Sequence, residues 1–206
     1  MSYSVESWSI QTGKIFKGIL LFSLAGIVYS IVDPIESLVG TVDTLSSVSG
    51  GGGVAGSGVL SFISYALLAL IAIGYVLTLM GLGGFRNVLS DVDSDAVGKI
   101  RMGFILALVA VGVDFFPLTG WIVGVLNIIA FILMLVGYSA LKESGSFPTQ
   151  ARGGAFTLFV AMILLIVGEV LDFIPLVGDY FNALFHLVSY ILLLMGWAKI
   201  KNTVPA

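Results

Sequence analysis

The most polar helical face in this sequence begins at Asp179. Asp179, Asn182, His186 and Ser189 follow one another at steps of three or four residues, so they share one side of a helix. Glu169 comes shortly before them, on the preceding apolar segment. Ionisable groups inside a membrane are costly, which makes them candidates for function by default.

A turn at Pro175 joins the two segments that carry these residues. Folding the chain there brings Glu169 and His186 to comparable depth, where the two side chains could hydrogen-bond. Because a His titrates near neutral pH, the pair is a candidate for proton transfer. The alternative is that Glu169 reaches interfacial water and His186 is satisfied by a neighbour. Asn127 corresponds to His186 in an internal repeat when one gap is allowed.

Three Asp residues stand at expected helix ends: Asp33, Asp114 and Asp172. Each closes a stripe of small residues on one helix face, which either packs helices closely or lines a cavity. A ring of carboxylates at the mouth of a cavity would select cations. Asp beside a Pro-containing turn is also an ordinary helix cap, and the sequence leaves both interpretations open. The stripes are Ser23, Gly26, Ser30, Asp33; Gly103, Ala107, Ala110, Asp114; and Thr157, Ala161, Gly168, Asp172.

Most catalytic and metal chemistry lacks its motif here. The chain has no Cys, so it can form neither disulfides nor Cys-ligated metal sites. Walker, HExxH and nucleophile-elbow patterns are absent from the sequence. Asp91, Asp93 and Asp95 lack the Gly and distal Glu of a calcium loop. We therefore expect no enzyme activity, no metal and no cofactor, and a net charge of −3 with pI 4.9 argues against nucleic acid.

The composition requires a lipid bilayer as the solvent. Of the 206 residues, 58% are hydrophobic and 10% are charged, with a mean hydropathy of +1.12; soluble domains carry about 25% charged residues. Six apolar segments approach or exceed the roughly 20 residues that cross the hydrocarbon core. Their apolar residues are continuous and do not alternate, which favours helices over a barrel. The segments lie roughly at 15–32, 59–80, 100–116, 119–140, 153–174 and 177–198.

A heptapeptide occurs three times at similar spacing. It reads YVLTLMG at Tyr75–Gly81, FILMLVG at Phe131–Gly137 and YILLLMG at Tyr190–Gly196. A turn motif, DFFPLTG at Asp114–Gly120, returns as DFIPLVG at Asp172–Gly178. This order predicts three helical hairpins, at about 14–81, 98–141 and 152–201. The fold class is therefore an all-α polytopic membrane protein, residues 1–206, with six transmembrane helices in three parallel hairpin repeats.

The first hairpin carries an insertion at its turn, residues 34–58. Its apolar residues between 34 and 48 recur at near helical period, and Asp33, Pro34 and Glu36 suit the start of a helix. We expect a short amphipathic helix over 34–48 that lies on the membrane surface, followed by a flexible Gly-rich linker at Ser49–Gly58. The alternative is a polar loop throughout.

Basic residues predict the orientation. All nine Lys and Arg residues flank the apolar segments at the ends that an alternating path places on one face, and such residues are retained in the cytoplasm. We expect a multi-pass protein of a prokaryotic cytoplasmic membrane with both termini in the cytoplasm. Five aromatic residues near segment ends are expected as interface anchors: Tyr3, Trp8, Trp121, Tyr138 and Trp197.

The heptapeptide followed by a short polar loop, as in LMGLGGFRNVL and LVGYSALKES, resembles an uncharacterised family of small multi-span proteins from archaea and bacteria. The resemblance covers most of the chain through apolar repeats. It implies a polytopic prokaryotic membrane protein and brings no catalytic residues.

Two functions are compatible with these features. The favoured one is a structural or partner-binding membrane component, surrounded by lipid and associated with a protein partner or with further copies of itself. The absence of a central Pro from the expected spans supports it, because substrate sites in transporters often use interrupted helices. The alternative is a small transporter or channel for protons, cations or a small solute, with an outward-facing acidic cavity. Its candidate polar residues are Asp33, Asp114, Asn127, Glu169, Asp172, Asp179, Asn182 and His186.

Overall fold

The chain folds into six α-helices. A computed structural model describes residues 5–48, 57–114, 116, 120–172, 174 and 178–204, with the backbone alone for some helical residues. Within this part the helices are α1 (Val5–Val48), α2 (Ser57–Arg86), α3 (Asp91–Asp114), α4 (Gly120–Glu143), α5 (Thr149–Asp172) and α6 (Gly178–Lys201). Each contains a stretch long and apolar enough to cross a membrane, which confirms the predicted all-α class with six helices of membrane-spanning length.

The helices form a closed ring in chain order. Each helix packs against its two neighbours in the chain, and α1 packs against α6 to close the ring. Consecutive helices run antiparallel, as the α5–α6 contacts illustrate: Gly168 near the end of α5 meets Asn182 near the start of α6, whereas Gly154 meets Ile200. Side chains that point inward therefore meet along a central axis.

All nine Lys and Arg residues lie in the half of this ring where α2 leads to α3 and α4 leads to α5, and the outer limit of that half is here called the basic end. Contacts between helices hold several of them there. Lys142 lies 4.3 Å above the ring of Phe159, Lys201 lies 4.8 Å above Phe16, and Arg86 donates to the carbonyl of Ser94. The opposite end, where α3 leads to α4 and α5 leads to α6, is called the turn end.

A glycine brings the two helices of each hairpin into close contact. Gly81, Gly137 and Gly196 are the last residues of the three heptapeptides. A Cβ added at these glycines would lie 2.6 Å from Ile15, 2.5 Å from Ile100 and 2.6 Å from Leu158, respectively. A side chain at these positions would push the two helices of the hairpin apart. It would thereby weaken the close packing through which membrane helices associate.

The first hairpin departs from the sequence-based prediction. α1 does not end before Pro34; it continues through this Pro as one helix of 44 residues. Glu36 accepts hydrogen bonds from Ser61 and Ser64 of α2, so it joins two helices instead of capping a new one. Neighbouring groups can satisfy the backbone that a Pro frees within a membrane helix. A separate surface helix over 34–48 is therefore wrong, and the expected linker falls largely outside the described residues.

The continuation gives α1 a length of about 66 Å, against about 36 Å for the 24-residue helices α3 to α6. Trp8, near the start of α1, donates to the carbonyl of Ile200 near the end of α6. The start of α1 therefore lies beside the end of α6, at the basic end. The extra length of α1 therefore projects at the turn end, where Leu38 and Val42 are exposed.

Candidate functional site

The turn half of the ring encloses a cavity of about 410 Å³, which we call the turn-end cavity. All six helices contribute side chains to its lining. Its size is within the range of pockets that hold small organic ligands, about 300–1,000 Å³. The lining groups with hydrogen-bonding side chains are Tyr29, Ser30, Ser37, Tyr75, Asn127, Glu169, Asp172, Asn182, His186 and Tyr190.

Glu169 is the buried acid of this cavity. Its side chain is only 5% exposed, and α5 carries it at the contact with both α4 and α6. Asn127 of α4 donates to Glu169 Oε1 over 3.1 Å, and His186 Nε2 of α6 lies 3.4 Å from the same oxygen. Gly168 makes this approach feasible, because a Cβ there would lie 3.0 Å from Asn182 Oδ1 and 3.2 Å from Phe185.

Two further polar atoms of the cavity lining are buried and lack a hydrogen bond within the described part of the chain. They are Asn182 Oδ1 and His186 Nε2. The His186 nitrogen therefore approaches the Glu169 carboxylate without forming an aligned hydrogen bond. Buried polar groups are normally paired, and unpaired ones often mark a site that another molecule completes.

Aromatic rings form the inner limit of the cavity. Tyr75, Phe131 and Tyr190 line both the turn-end cavity and a much smaller void of about 10 Å³ beneath it. These three residues, here called the aromatic floor, are the first residues of the three heptapeptides. Tyr75 and Tyr190 also lie close enough to Glu169 for electrostatic interaction with its carboxylate. One repeated motif thus supplies the floor from three separate helices.

The basic half of the ring is filled by a second aromatic group, the basic-end cluster. Its members are at most 1% exposed. Trp8 meets Phe85 with ring centroids 5.0 Å apart, and the Trp197 indole N–H donates to the Tyr138 hydroxyl over 3.2 Å. The interface-anchor prediction is therefore wrong for three of its residues. The cluster comprises Trp8, Phe85, Tyr138, Phe147 and Trp197.

The reason for this error is that a residue near a helix end can point either to the lipid or to the axis. Trp121, at the start of α4, is 67% exposed and suits an interface position. Tyr3 lies outside the described residues. Sequence distance from the end of a segment does not distinguish these orientations.

The candidate polar residues have different outcomes. Five line the turn-end cavity: Asn127, Glu169, Asp172, Asn182 and His186. The backbones of Asp33, Asp114 and Asp179 lie in α1, α3 and α6, but their side chains lie outside the description. The proposed acidic ring therefore remains a prediction. Of the small-residue stripes, Ser30 and Asp172 reach the cavity lining, whereas Ala107 and Ala161 are buried in helix packing.

The sequence-based interpretation missed the aromatic lining. Tyr29, Tyr75, Phe131 and Tyr190 all border the cavity. A signal for three of them was present, because an aromatic residue opens every heptapeptide. Among the described residues no group of three His, Asp or Glu could hold a metal ion.

Comparison with known proteins provides no relative from which a role could be transferred. No protein-family profile matches the chain, and no curated protein or solved structure is similar to it. The resemblance suggested by the sequence therefore stays a prediction.

Proposed function

We propose that this protein is a multi-pass membrane transporter that admits a small cation, a proton or a small solute to the turn-end cavity from outside the cell. The observation that carries the proposal is the Glu169 carboxylate, 5% exposed, in the wall of a cavity of about 410 Å³. Burying a carboxylate in a membrane is expensive, so its retention at a cavity favours a role with a cationic partner. On the sequence alone, this function ranked second.

The basic-end cluster favours a gated transporter over an open channel. The cavity is accessible on one side of the aromatic floor, while the other half of the axis is filled with buried rings. Such one-sided access corresponds to one state of an alternating-access cycle.

The three-hairpin repeat is part of the same proposal. The equivalent contacts of Gly81, Gly137 and Gly196 support it, as does the common level of Tyr75 and Phe131 on the aromatic floor. Each unit then supplies one floor residue and one closely packed hairpin, and the units point the same way. The insertion lengthens the first unit at the turn end.

The orientation in a prokaryotic cytoplasmic membrane follows from the positive-inside rule, which assigns the basic end and both termini to the cytoplasm. Because the chain has no Cys, a thiol reagent labels a single-Cys variant only at the introduced residue. Ser37→Cys, at the turn end, should react with an impermeant maleimide in intact cells. Gln150→Cys, at the basic end, should react only after permeabilisation. The opposite pattern would invert the assignment.

Flux measurements in proteoliposomes test transport. A Glu169→Gln/His186→Ala double variant should remain folded and lose proton-coupled flux. Glu143→Gln is the matched control, since Glu143 is 71% exposed beside Lys142 at the basic end. If the double variant carries the same flux as the parent protein, the site proposal fails.

A structural or partner-binding role is the second candidate. The projecting part of the α1–α2 hairpin favours it, because Leu38, Val42, Val59 and Phe62 are all more than half exposed there. These side chains would contact a protein partner or another copy of the chain. Purification in mild detergent should then recover a stoichiometric complex, and a monomer without flux or partner would contradict both candidates.

A further inference from the structure

The lining of the turn-end cavity restricts the class of ligand that it can accept, provided that the proposed function holds. Glu169 and Asp172 supply negative charge, and the described lining residues include no Lys or Arg. All nine Lys and Arg residues lie in the other half of the ring. An anionic solute would meet two carboxylates and neither Lys nor Arg among the described lining residues, whereas a cation would offset the cost of keeping Glu169 ionised in the membrane.

The aromatic rings distinguish an organic cation from a metal ion. Tyr29, Tyr75, Phe131 and Tyr190 approach the cavity from four different helices. Rings of this kind attract ammonium groups through the negative faces of their π systems. A calcium ion would instead require six to eight oxygen ligands at short distance. No such group of acidic side chains occurs among the described residues.

The Glu169 carboxylate suits the same ligand. Asn127 donates to its Oε1 atom over 3.1 Å, and His186 Nε2 lies 3.4 Å from the same oxygen. Asn182 Oδ1 is buried against Gly168 and offers no surface to the cavity. A protonated amine in the cavity could donate to the Glu169 carboxylate and still lie within reach of the aromatic floor, because Tyr75 and Tyr190 interact electrostatically with that carboxylate.

We propose that the turn-end cavity binds a small organic monocation, whose ammonium group lies between the Glu169 carboxylate and the rings of Tyr75, Phe131 and Tyr190. The volume of about 410 Å³ accommodates such a molecule, and it greatly exceeds the needs of a single dehydrated ion. The proposal deepens the transport function by naming its substrate class.

Equilibrium dialysis of radiolabelled 2-phenylethylamine against the full chain in lipid nanodiscs tests this assignment. The amine is protonated at neutral pH, and 2-phenylethanol is a neutral competitor of nearly the same shape. We expect saturable binding that excess 2-phenylethanol or Na⁺ does not displace. Glu169→Gln should weaken binding at least tenfold, since it removes the charge and keeps the shape.

The aromatic contribution is measured with a matched pair of variants. Phe131→Leu, on the floor, should weaken binding by about 2- to 30-fold, the range for a cation–π contact from exposed to desolvated. Phe156→Leu, at a lipid-facing Phe that is 55% exposed, should leave binding unchanged. Equal effects of the two variants would overturn the assignment of the floor as the cation-binding surface.

The outcomes separate this inference from the transport proposal. If the amine does not bind but proton or Na⁺ flux still depends on Glu169, the organic-cation assignment is wrong and transport stands. If 2-phenylethanol displaces the bound amine as effectively as unlabelled amine does, the organic-cation assignment is also overturned, because charge would then play no part in binding. If the parent protein shows neither binding nor flux, the proposed function itself fails.

Discussion

The two halves of the ring are built from the same six helices but are filled differently along the axis. At the basic end, Trp8, Phe85 and Trp197 occupy the centre and are at most 1% exposed. At the turn end, the centre is a cavity that Glu169, Asn182 and His186 line. The comparison shows that five large aromatic side chains close the basic half, whereas the turn half stays open although Tyr and Phe residues share its lining with Gly and Ser.

Residue size explains the contrast. Each indole or phenyl ring fills space that a Ser, an Asn or a Gly leaves empty. Gly120, Gly124, Ser30 and Ser37 contribute little volume to the turn-end lining. The basic half is therefore closed by packed aromatic side chains, whereas polar side chains surround the cavity of the turn half. Four predictions test this division, beginning with the largest expected effect.

Removing a ring from the basic-end cluster should destabilise the protein most. Trp197→Ala deletes a fully buried indole and the hydrogen bond to Tyr138, so we expect a loss of about 3–5 kcal/mol in the free energy of unfolding. Chemical unfolding in mild detergent measures it. Trp121→Ala is the control at an exposed Trp and should change stability by less than about 0.5 kcal/mol. Similar losses for both would remove the distinction between buried and lipid-facing rings.

Adding a methyl group where hairpin helices touch should cost somewhat less. In Gly154→Ala, the new Cβ would lie 2.6 Å from the Gly196 carbonyl oxygen and 2.7 Å from Ile200. We expect a loss of about 1–3 kcal/mol, the usual cost of overpacking. Gly153→Ala is the adjacent control, because nothing lies within 4 Å of its new Cβ. If Gly154→Ala leaves the free energy of unfolding unchanged, α5 and α6 can move apart without a cost in stability.

The Glu36 contact should contribute less again. Replacing both Ser61 and Ser64 with Ala removes two hydroxyl donors from the Glu36 carboxylate. We expect a loss of about 1–2 kcal/mol, since single hydrogen bonds in membrane proteins average about 0.6 kcal/mol and charged acceptors exceed that mean. Thr41→Ala, whose hydroxyl donates to the Ser37 carbonyl within α1, is the control. A double variant with an unchanged free energy of unfolding would indicate that the part of α1 beyond Pro34 is not stabilised by these contacts with α2.

The smallest stability effect should accompany the largest functional one. Glu169→Gln replaces a buried carboxylate with a neutral amide of the same shape, which lowers the cost of burial in the membrane. We expect the free energy of unfolding to stay within about 1 kcal/mol of the parent value or to rise, while ligand binding and flux are lost. A strongly destabilised variant would mean that Glu169 serves packing, and the turn half would then resemble the basic half.

Much of the fold could be predicted from the sequence because its causes are local. Apolar length marks the six helices, and the Asp–Pro–Gly turns make α3 and α4, like α5 and α6, antiparallel neighbours. The candidate site was predicted in part: Glu169 and His186 share a hairpin, and a short turn constrains their relative depth. The contact between Glu169 and Asn127 joins different hairpins, and the sequence offers no measure of how those hairpins are rotated.

The error at Pro34 has a similar origin. Pro disfavours a helix locally, and the following residues also suit a helix start, so sequence rules place a boundary there. Whether the chain actually breaks depends on neighbours that can replace the lost backbone hydrogen bond. In this protein, α2 runs beside the continuation and supplies Ser61 and Ser64 to Glu36.

The sequence by itself determined the number of helices, the half of the ring that carries every Lys and Arg, and the recurrence of an aromatic residue and a glycine in each heptapeptide. Only the tertiary structure decided that Tyr75, Phe131 and Tyr190 meet at one level, that Trp197 points to the axis, and that Glu169 borders a cavity. The physical reason is that helical periodicity defines which residues share a face, whereas closure of the ring decides which face turns inward.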